Sequence, residues 1–285
     1  MKSARYVVLA LAGICIAVAL PAAQTPQKPE VPVEKWTGKI ILLIGAHADD
    51  DALSHGTLAM LQAHGNQVYV LTLTTGNVGT QDPKLSRIQL AEIRRQEELA
   101  ALKDLGIPAG HYINLGYDDG MLEFEDHKAV VENLVYWIRK LHPDVLFSWD
   151  PGKIYQRWHK SDHRASAYLA ADAARAAMWR LLFEGQITQQ GLNEFMIPEY
   201  MLYEDYDNQD ENLWVDISGF VDQRVSAGSH YISQFGPGWK TYNPNPSEAD
   251  MKEMRALVRN TIRTRDGKPV EGFRYYRGLP DGLGK

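Results

Sequence analysis

Two short segments of this 285-residue chain hold the residue types that bind a divalent metal and move protons. The first is His47-Ala48-Asp49-Asp50-Asp51, placed where an apolar run ends and a helical pattern begins. Three consecutive acids beside a histidine repel one another unless a cation lies among them. The competing reading is a solvated helix N-terminus, where acids favour the positive end of the dipole, but it leaves His47 without a role. The second segment is Trp158-His159-Lys160-Ser161-Asp162-His163-Arg164. Taken alone, its histidines read as surface or helix-cap residues; taken with the first segment, His163 becomes a third ligand. Two neutral imidazoles and one carboxylate leave coordination positions open for water and substrate, the pattern of a catalytic zinc, with Fe2+ as another option.

These segments need a scaffold that brings them together. From Lys39 onward short β-rich runs alternate with longer helical ones, which predicts an α/β fold: a Rossmann-like three-layer sandwich on a mostly parallel sheet. Lys39 to Gly45 is nearly all apolar, as a central strand covered on both faces should be. Further strands are expected at Gln67 to Leu73, His111 to Leu115, Asp144 to Trp149, Glu199 to Tyr203 and Leu213 to Ile217. Helices are expected at Leu53 to His64, Ser86 to Leu105, His127 to Leu141, from Ser161 or Asp162 to about Phe183, Phe220 to Phe235 and Ser247 to Arg263. With a strand order of 3-2-1-4-5, strands one and four are neighbours, and ligands bind beyond their carboxyl ends where the order reverses. The two chemical segments follow those two strands.

The rest of the chain bounds the setting. Lys2 and Arg5, an apolar run from Tyr6 to Leu20 and the small residues Ala22 and Ala23 give the pattern of a secretory signal peptide at 1–23. The run is short for a membrane span, so no stable membrane insertion is expected after cleavage, and the destination is secreted or periplasmic. A Pro- and Gln-rich tether at 24–38 leads to a domain at 39–235, and 236–285 reads as a C-terminal extension packed on it. The single cysteine, Cys15, lies inside the leader, which excludes thiol nucleophiles and disulfides from the mature chain. A formal net charge of −6, from interspersed acids and bases with no basic stripe, argues against nucleic acid as a partner.

On these residues the sequence resembles the PIG-L family, also called LmbE-like proteins, the N-acetylglucosaminyl deacetylases. Ala46-His47-Ala48-Asp49-Asp50-Asp51 stands where that family has Ala-His-Pro-Asp-Asp-Glu. Arg94-Arg95-Gln96-Glu97, Leu115-Gly116-Tyr117-Asp118-Asp119-Gly120, Asp162-His163-Arg164-Ala165 and His230-Tyr231-Ile232-Ser233-Gln234 follow in the family's order, over Lys39 to about Gln234. Ala48 and Asp51 depart from the first motif without removing a ligand. The second motif is His-X-Asp-His in the family, whereas one extra residue separates His159 from Asp162 here.

The resemblance implies a zinc-dependent hydrolase that removes an N-acyl group, N-acetyl above all, from an amino sugar or glycoconjugate. It further implies His47, Asp50 and His163 as metal ligands, Asp49 as general base and His159 as the contact for the oxyanion. Asp162 reads either as the carboxylate that orients an imidazole or as a plain helix N-cap. Arg94 reads as a substrate contact or as part of a solvated helix face, Asp119 as a sugar-hydroxyl contact or a turn residue, and His230 as a pocket residue or a packing one. Two rival functions are a non-haem iron oxygenase, which uses a similar ligand triad, and a secreted glycan-binding protein with a degenerate site. The partner implied is a small-molecule or glycan substrate.

Overall fold

The structure, a computed structural model, describes residues 27–152, 160–203 and 211–279. In chain order the elements are β1 (Ile40–Gly45), α1 (His55–Ala63), β2 (Gln67–Thr74), α2 (Arg87–Asp104), β3 (Tyr112–Tyr117), α3 (His127–Leu141) and β4 (Val145–Trp149). They continue with α4 (Ser161–Ala177), α5 (Glu184–Thr188), β5 (Glu199–Tyr203), β6 (Leu213–Asp216), α6 (Val221–Gly228), α7 (Glu248–Asn260), β7 (Arg263–Arg265) and β8 (Lys268–Arg277). The strands form one sheet in the order β3-β2-β1-β4-β5-β8-β6, with β7 paired to β8. The first five in that order run parallel, and β8 is antiparallel to β5, β6 and β7. Mostly parallel strands between helical layers give the α/β sandwich expected from the sequence, with β1 and β4 adjacent at the reversal of strand order.

β1 is apolar throughout because both of its faces are covered. Ile41 and Leu43 join a core with Leu58 and Leu61 of α1, Leu102 of α2 and Ala227 of α6. Leu42 and Ile44 join a second core with Leu134 and Ile138 of α3 and Ala170 and Ala173 of α4. Alternate side chains of a strand point to opposite faces, so a single strand seeds both layers.

Three elements differ from the expectation in ways that matter. α4 stops at Ala177 rather than near Phe183 because Arg139, buried on α3, donates to the carbonyls of Ala177, Trp179, Leu182 and Phe183 and to Gln186 Oε1. A guanidinium satisfies the carbonyls that a helix end leaves without partners. α6 ends at Gly228, short of Phe235, and the turns that follow carry Tyr231 and Ser233 back to α2. Most consequential, the segment expected as an extension supplies β8, a ten-residue strand inside the sheet. On it Glu271 accepts from the backbone N–H groups of Gly56 at 2.9 Å and Thr57 at 2.7 Å. That carboxylate caps α1, whose own preceding residue, Ser54, makes no side-chain cap. Upstream of β1, Val33 and Trp36 are buried in the first core. The leader expected at 1–23 lies outside the described residues, and among those described no helix is long and apolar enough to cross a membrane.

Candidate active site

The site lies beyond the carboxyl ends of β1 and β4. After Gly45 the chain turns through Asp49, whose φ of 123° is a conformation that non-glycine residues rarely hold, into a short 3-10 turn at Asp50–Ser54. Backbone strain of this sort costs about 1–3 kcal/mol and persists only where the surroundings enforce it. Here Asp50 Oδ2 accepts from the N–H groups of Ala46 (2.5 Å) and His47 (3.0 Å) and from the indole of Trp149 (2.7 Å). A Cβ added at Gly45 would lie 3.0 Å from that of Asp50, so a side chain there would crowd the carboxylate where it folds back.

The turn fans the three acids in three directions. Asp50 Oδ1 faces His47 Nδ1 at 3.6 Å and His163 Nε2 at 3.3 Å. Asp49 Oδ1 pairs with Arg94 Nη2 at 2.9 Å. Asp51 points inward, 3.0 Å from His55 Nε2, and accepts from Tyr231 Oη at 3.1 Å; the same hydroxyl lies 3.0 Å from Glu98 Oε2. The acids therefore do not share one cation. One donor set of two imidazoles and a carboxylate, His47, Asp50 and His163, converges within 4.8 Å and is buried.

His47 is the hub. Its Nε2 lies 3.0 Å from Asp119 Oδ1 and 3.5 Å from Asp162 Oδ2. Burial works against its charged form, but hydrogen bonds with Asp119, Asp162 and Asp50 prevail and raise its pKa well above the usual imidazole range. Burial is likewise outweighed at Asp50, which His163 and His47 hold well below the usual carboxylate range, and at Asp119, lowered to about 2 mainly by His47. So many anionic oxygens around a buried imidazole mark a place that wants positive charge, which a proton on His47 or a metal ion supplies. The donor set fits a divalent metal: Nδ1 of His47 faces the Asp50 and His163 donors while Nε2 is left to the carboxylates of Asp119 and Asp162, the usual arrangement of a ligating histidine.

Asp162 is not a helix cap. The residue before α4 is Lys160, which makes no side-chain cap, and Asp162 instead accepts from the N–H groups of Gly120 (2.7 Å) and Leu122 (3.3 Å). It thereby ties α4 to the loop after β3 that carries Asp119, a tie doubled by Arg164 on Glu123. Arg94 is not on a solvated face: it is buried, bonded to the carbonyl of Ala48 as well as to Asp49, whereas Arg95 beside it is exposed. The loop after β2 is shaped around it, since Gly76, at φ +64°, would with a Cβ meet the Arg94 side chain at 2.7 Å. Burial pushes the Asp49 carboxyl above its ordinary range and Arg94 draws it partly back.

His47, Asp49, Arg94, Asp119 and Asp162 line one cleft of about 570 Å³, walled by Gly79, Gln234, Phe235 and Trp239. His230 is not brought there. Its ring lies 2.8 Å from Asp104 Oδ2, at the other end of α2, ten residues or about 15 Å along the helix from Arg94. His159 lies outside the described residues. Sequence reasoning passed over Trp149, which holds Asp50 and stacks on His163 with ring centroids 3.9 Å apart, and the inward set of Asp51, His55, Glu98 and Tyr231. A tryptophan closing a strand beside the switch point was the one local signal for the former.

Fold and site together define an α/β protein with a metal-type donor set at the switch point of its sheet. Residues 42–174 match the PIG-L family, described as GlcNAc-PI de-N-acetylase. The chain is 30% identical over 208 residues to the diacetylchitobiose deacetylase of Thermococcus kodakarensis, covering 72% of this chain and 74% of that one. It belongs to the PIG-L family. It is also 32% identical over 165 residues to a 1D-myo-inositol 2-acetamido-2-deoxy-alpha-D-glucopyranoside deacetylase from a Nocardioides species, a match spanning about half of each chain (47% and 54%). Among solved structures, the N,N'-diacetylchitobiose deacetylase of Pyrococcus horikoshii superposes with a TM-score of 0.71 at 27% identity, covering 86% of both chains.

Proposed function

We propose that this chain is an exported, divalent-metal-dependent hydrolase, zinc being the metal we favour, that removes the N-acetyl group of an amino sugar or glycoconjugate. The observation that carries the reading is the convergence of His47, Asp50 and His163 with Asp49 beside the set but outside it. Deacetylation of amino sugars by the relatives named above points the same way. When bound, the metal polarises the acyl carbonyl and lowers the pKa of water.

The chain's own residues do the rest. Asp49 lines the cleft with one oxygen held by Arg94, and burial has moved its pKa towards neutrality, as suits a base that takes a proton from water and returns it to the departing amine. Asp119 and Asp162 fix the ring of His47 through Nε2, so that its other nitrogen is presented as a ligand. On the family resemblance we assign the oxyanion contact to His159. Export, through cleavage of residues 1–23, belongs to the same proposal.

The test is acetate release from a panel of N-acetylated mono- and oligosaccharides by the mature protein, stripped of metal and then reconstituted with zinc. Release from at least one amino sugar that requires metal is the expected result. Stoichiometric zinc binding with no release from any of them would overturn the substrate assignment.

A further inference from the structure

Inward of the cleft lies a second polar cluster that the chemistry above leaves unused. Asp51, His55, Glu98 and Tyr231 are each at most 1% exposed, so their hydrogen bonds must be settled among themselves. Tyr231 Oη sits between two carboxyl groups, 3.1 Å from Asp51 Oδ1 and 3.0 Å from Glu98 Oε2. Burial and the charges of Asp51 and Glu98 push the phenol well above its ordinary range, so it keeps its one proton. A single hydroxyl proton serves one of the two carboxyl groups, and the other must bring its own. Asp51 has a second donor, His55 Nε2 at 3.0 Å from its Oδ2, whereas Glu98 has Tyr231 alone and its Oε1 finds no partner among the described residues. The donors therefore run from the Glu98 carboxyl to Tyr231 Oη and from Tyr231 to Asp51. Burial and the charge of Asp51 push Glu98 well above the usual carboxyl range, in keeping with that order.

This relay ends on the turn that presents Asp49 at its rare φ of 123°. Arg94 and Glu98 lie one turn apart on α2 and share a face of it. Arg94 takes the near side of the turn, at Asp49 Oδ1 and the carbonyl of Ala48, while Glu98 takes the far side, at Asp51, through Tyr231. Ser233, two residues beyond Tyr231, donates to Glu97 through its N–H and its hydroxyl, which fixes the approach of the phenol to the same helix. A buried polar cluster is a poor source of stability, since well-packed apolar residues in its place often do as well or better. Fully connected, it holds one conformation, and a strained backbone needs such a surround to persist.

We propose, building on the deacetylase reading above, that Tyr231 and Glu98 are positioning residues for Asp49, holding through Asp51 the turn that aims the base into the cleft. Neither residue lines the cleft, and both act on the reaction only through the geometry of that carboxylate. A displacement of about 1 Å at such a group is enough to cost on the order of 100-fold in rate.

The experiment compares the zinc-loaded parent with Tyr231→Phe, Glu98→Leu and Glu98→Gln, using the N-acetylated sugar of the panel above that the parent turns over fastest. Tyr231→Phe and Glu98→Leu should lower kcat by about tenfold or more while KM and zinc affinity stay near the parent's. Glu98→Gln, whose amide N–H donates to Tyr231 as a protonated carboxyl does, should recover most of the rate. Independently of turnover, the infrared difference between the parent and Glu98→Gln near neutral pH should contain the carbonyl band of a protonated carboxyl group. A parent-like kcat in Tyr231→Phe, no recovery in Glu98→Gln, a joint fall of kcat and zinc affinity, or the absence of the acid band would overturn the positioning role. A parent that releases no acetate sinks the deacetylase reading and this role with it, whereas an active parent beside an equally active Tyr231→Phe sinks this inference alone.

Discussion

At the scale of single residues, Asp119 differs most from what its sequence context suggests. An Asp-Gly pair after a strand reads as a turn, yet its carboxylate makes the shortest contact to His47 and is the better placed of the two anions that orient the ring. Asp119→Asn keeps the shape and removes the charge, and it is expected to weaken zinc affinity by roughly 10–100-fold, as losing such a partner typically does. Competition with a chromophoric chelator measures this; an unchanged affinity would show that Asp119 does not support the ligand. Glu97 allows a pH prediction away from the donor set. It accepts from the backbone and hydroxyl of Ser233 at 2.8 Å and 2.6 Å, and burial raises its carboxyl from 4.5 to about 7. A carboxyl raised on folding favours the native state when protonated, so its contribution is complete below pH ~4.5 and is lost as pH rises through ~7. Glu97→Gln removes that loss, on the order of 3 kcal/mol for a shift of this size. Urea titrations at pH 5 and pH 8 should show the variant less sensitive to pH than the parent; parallel changes would contradict the assignment. The convergence of His47 and Asp50 with His163 was legible because the first two directly follow the end of β1, and His163 opens the helix that follows the neighbouring strand β4. The set of Asp51, His55, Glu98 and Tyr231 was not, because beyond the Asp51–His55 pair its partners lie far apart in the chain, Tyr231 lying 180 positions from Asp51.

Among the elements, the parallel half of the sheet follows from the sequence because each strand is a short apolar run bounded by turn residues, and α3 has the limits its periodicity predicts. β8 does not, since Lys268 to Arg277 carries proline, glycine and four charged side chains where a buried strand would be apolar. The structure explains each inward charge: Glu271 caps α1 and pairs with Arg224, and Arg274 pairs with Asp150 just beyond β4. Charges that find partners only across the fold mimic a surface segment in one dimension. Arg139 follows the same rule on the opposite face, where its five hydrogen bonds turn the chain after α4. Arg139→Met preserves most of the buried stem and leaves those carbonyls unsatisfied, at an expected cost of about 3 kcal/mol or more. Chemical denaturation reads this directly, and a change below ~0.5 kcal/mol, typical of a surface substitution, would contradict the role given to Arg139.

Across the whole molecule, the sheet separates two cores and leaves the polar chemistry to one edge, where the ends of β1 and β4 and the loops after β2 and β3 meet. Candidate metal donors from two chain segments more than a hundred residues apart converge on the same place. Anything that binds there couples the halves of the fold, and under the proposed function an ion that stabilises the native state would also be the one hydrolysis requires. The most direct test is therefore a titration of the metal-stripped protein with zinc, following acetate release from diacetylchitobiose and bound metal together. Release should rise linearly and reach its plateau at one equivalent, and Asp49→Asn should bind the same equivalent while losing roughly 10²-fold or more of the rate. Full release before any metal is added, or undiminished release by Asp49→Asn, would contradict the assignment of His47, Asp50 and His163 as ligands with Asp49 as base.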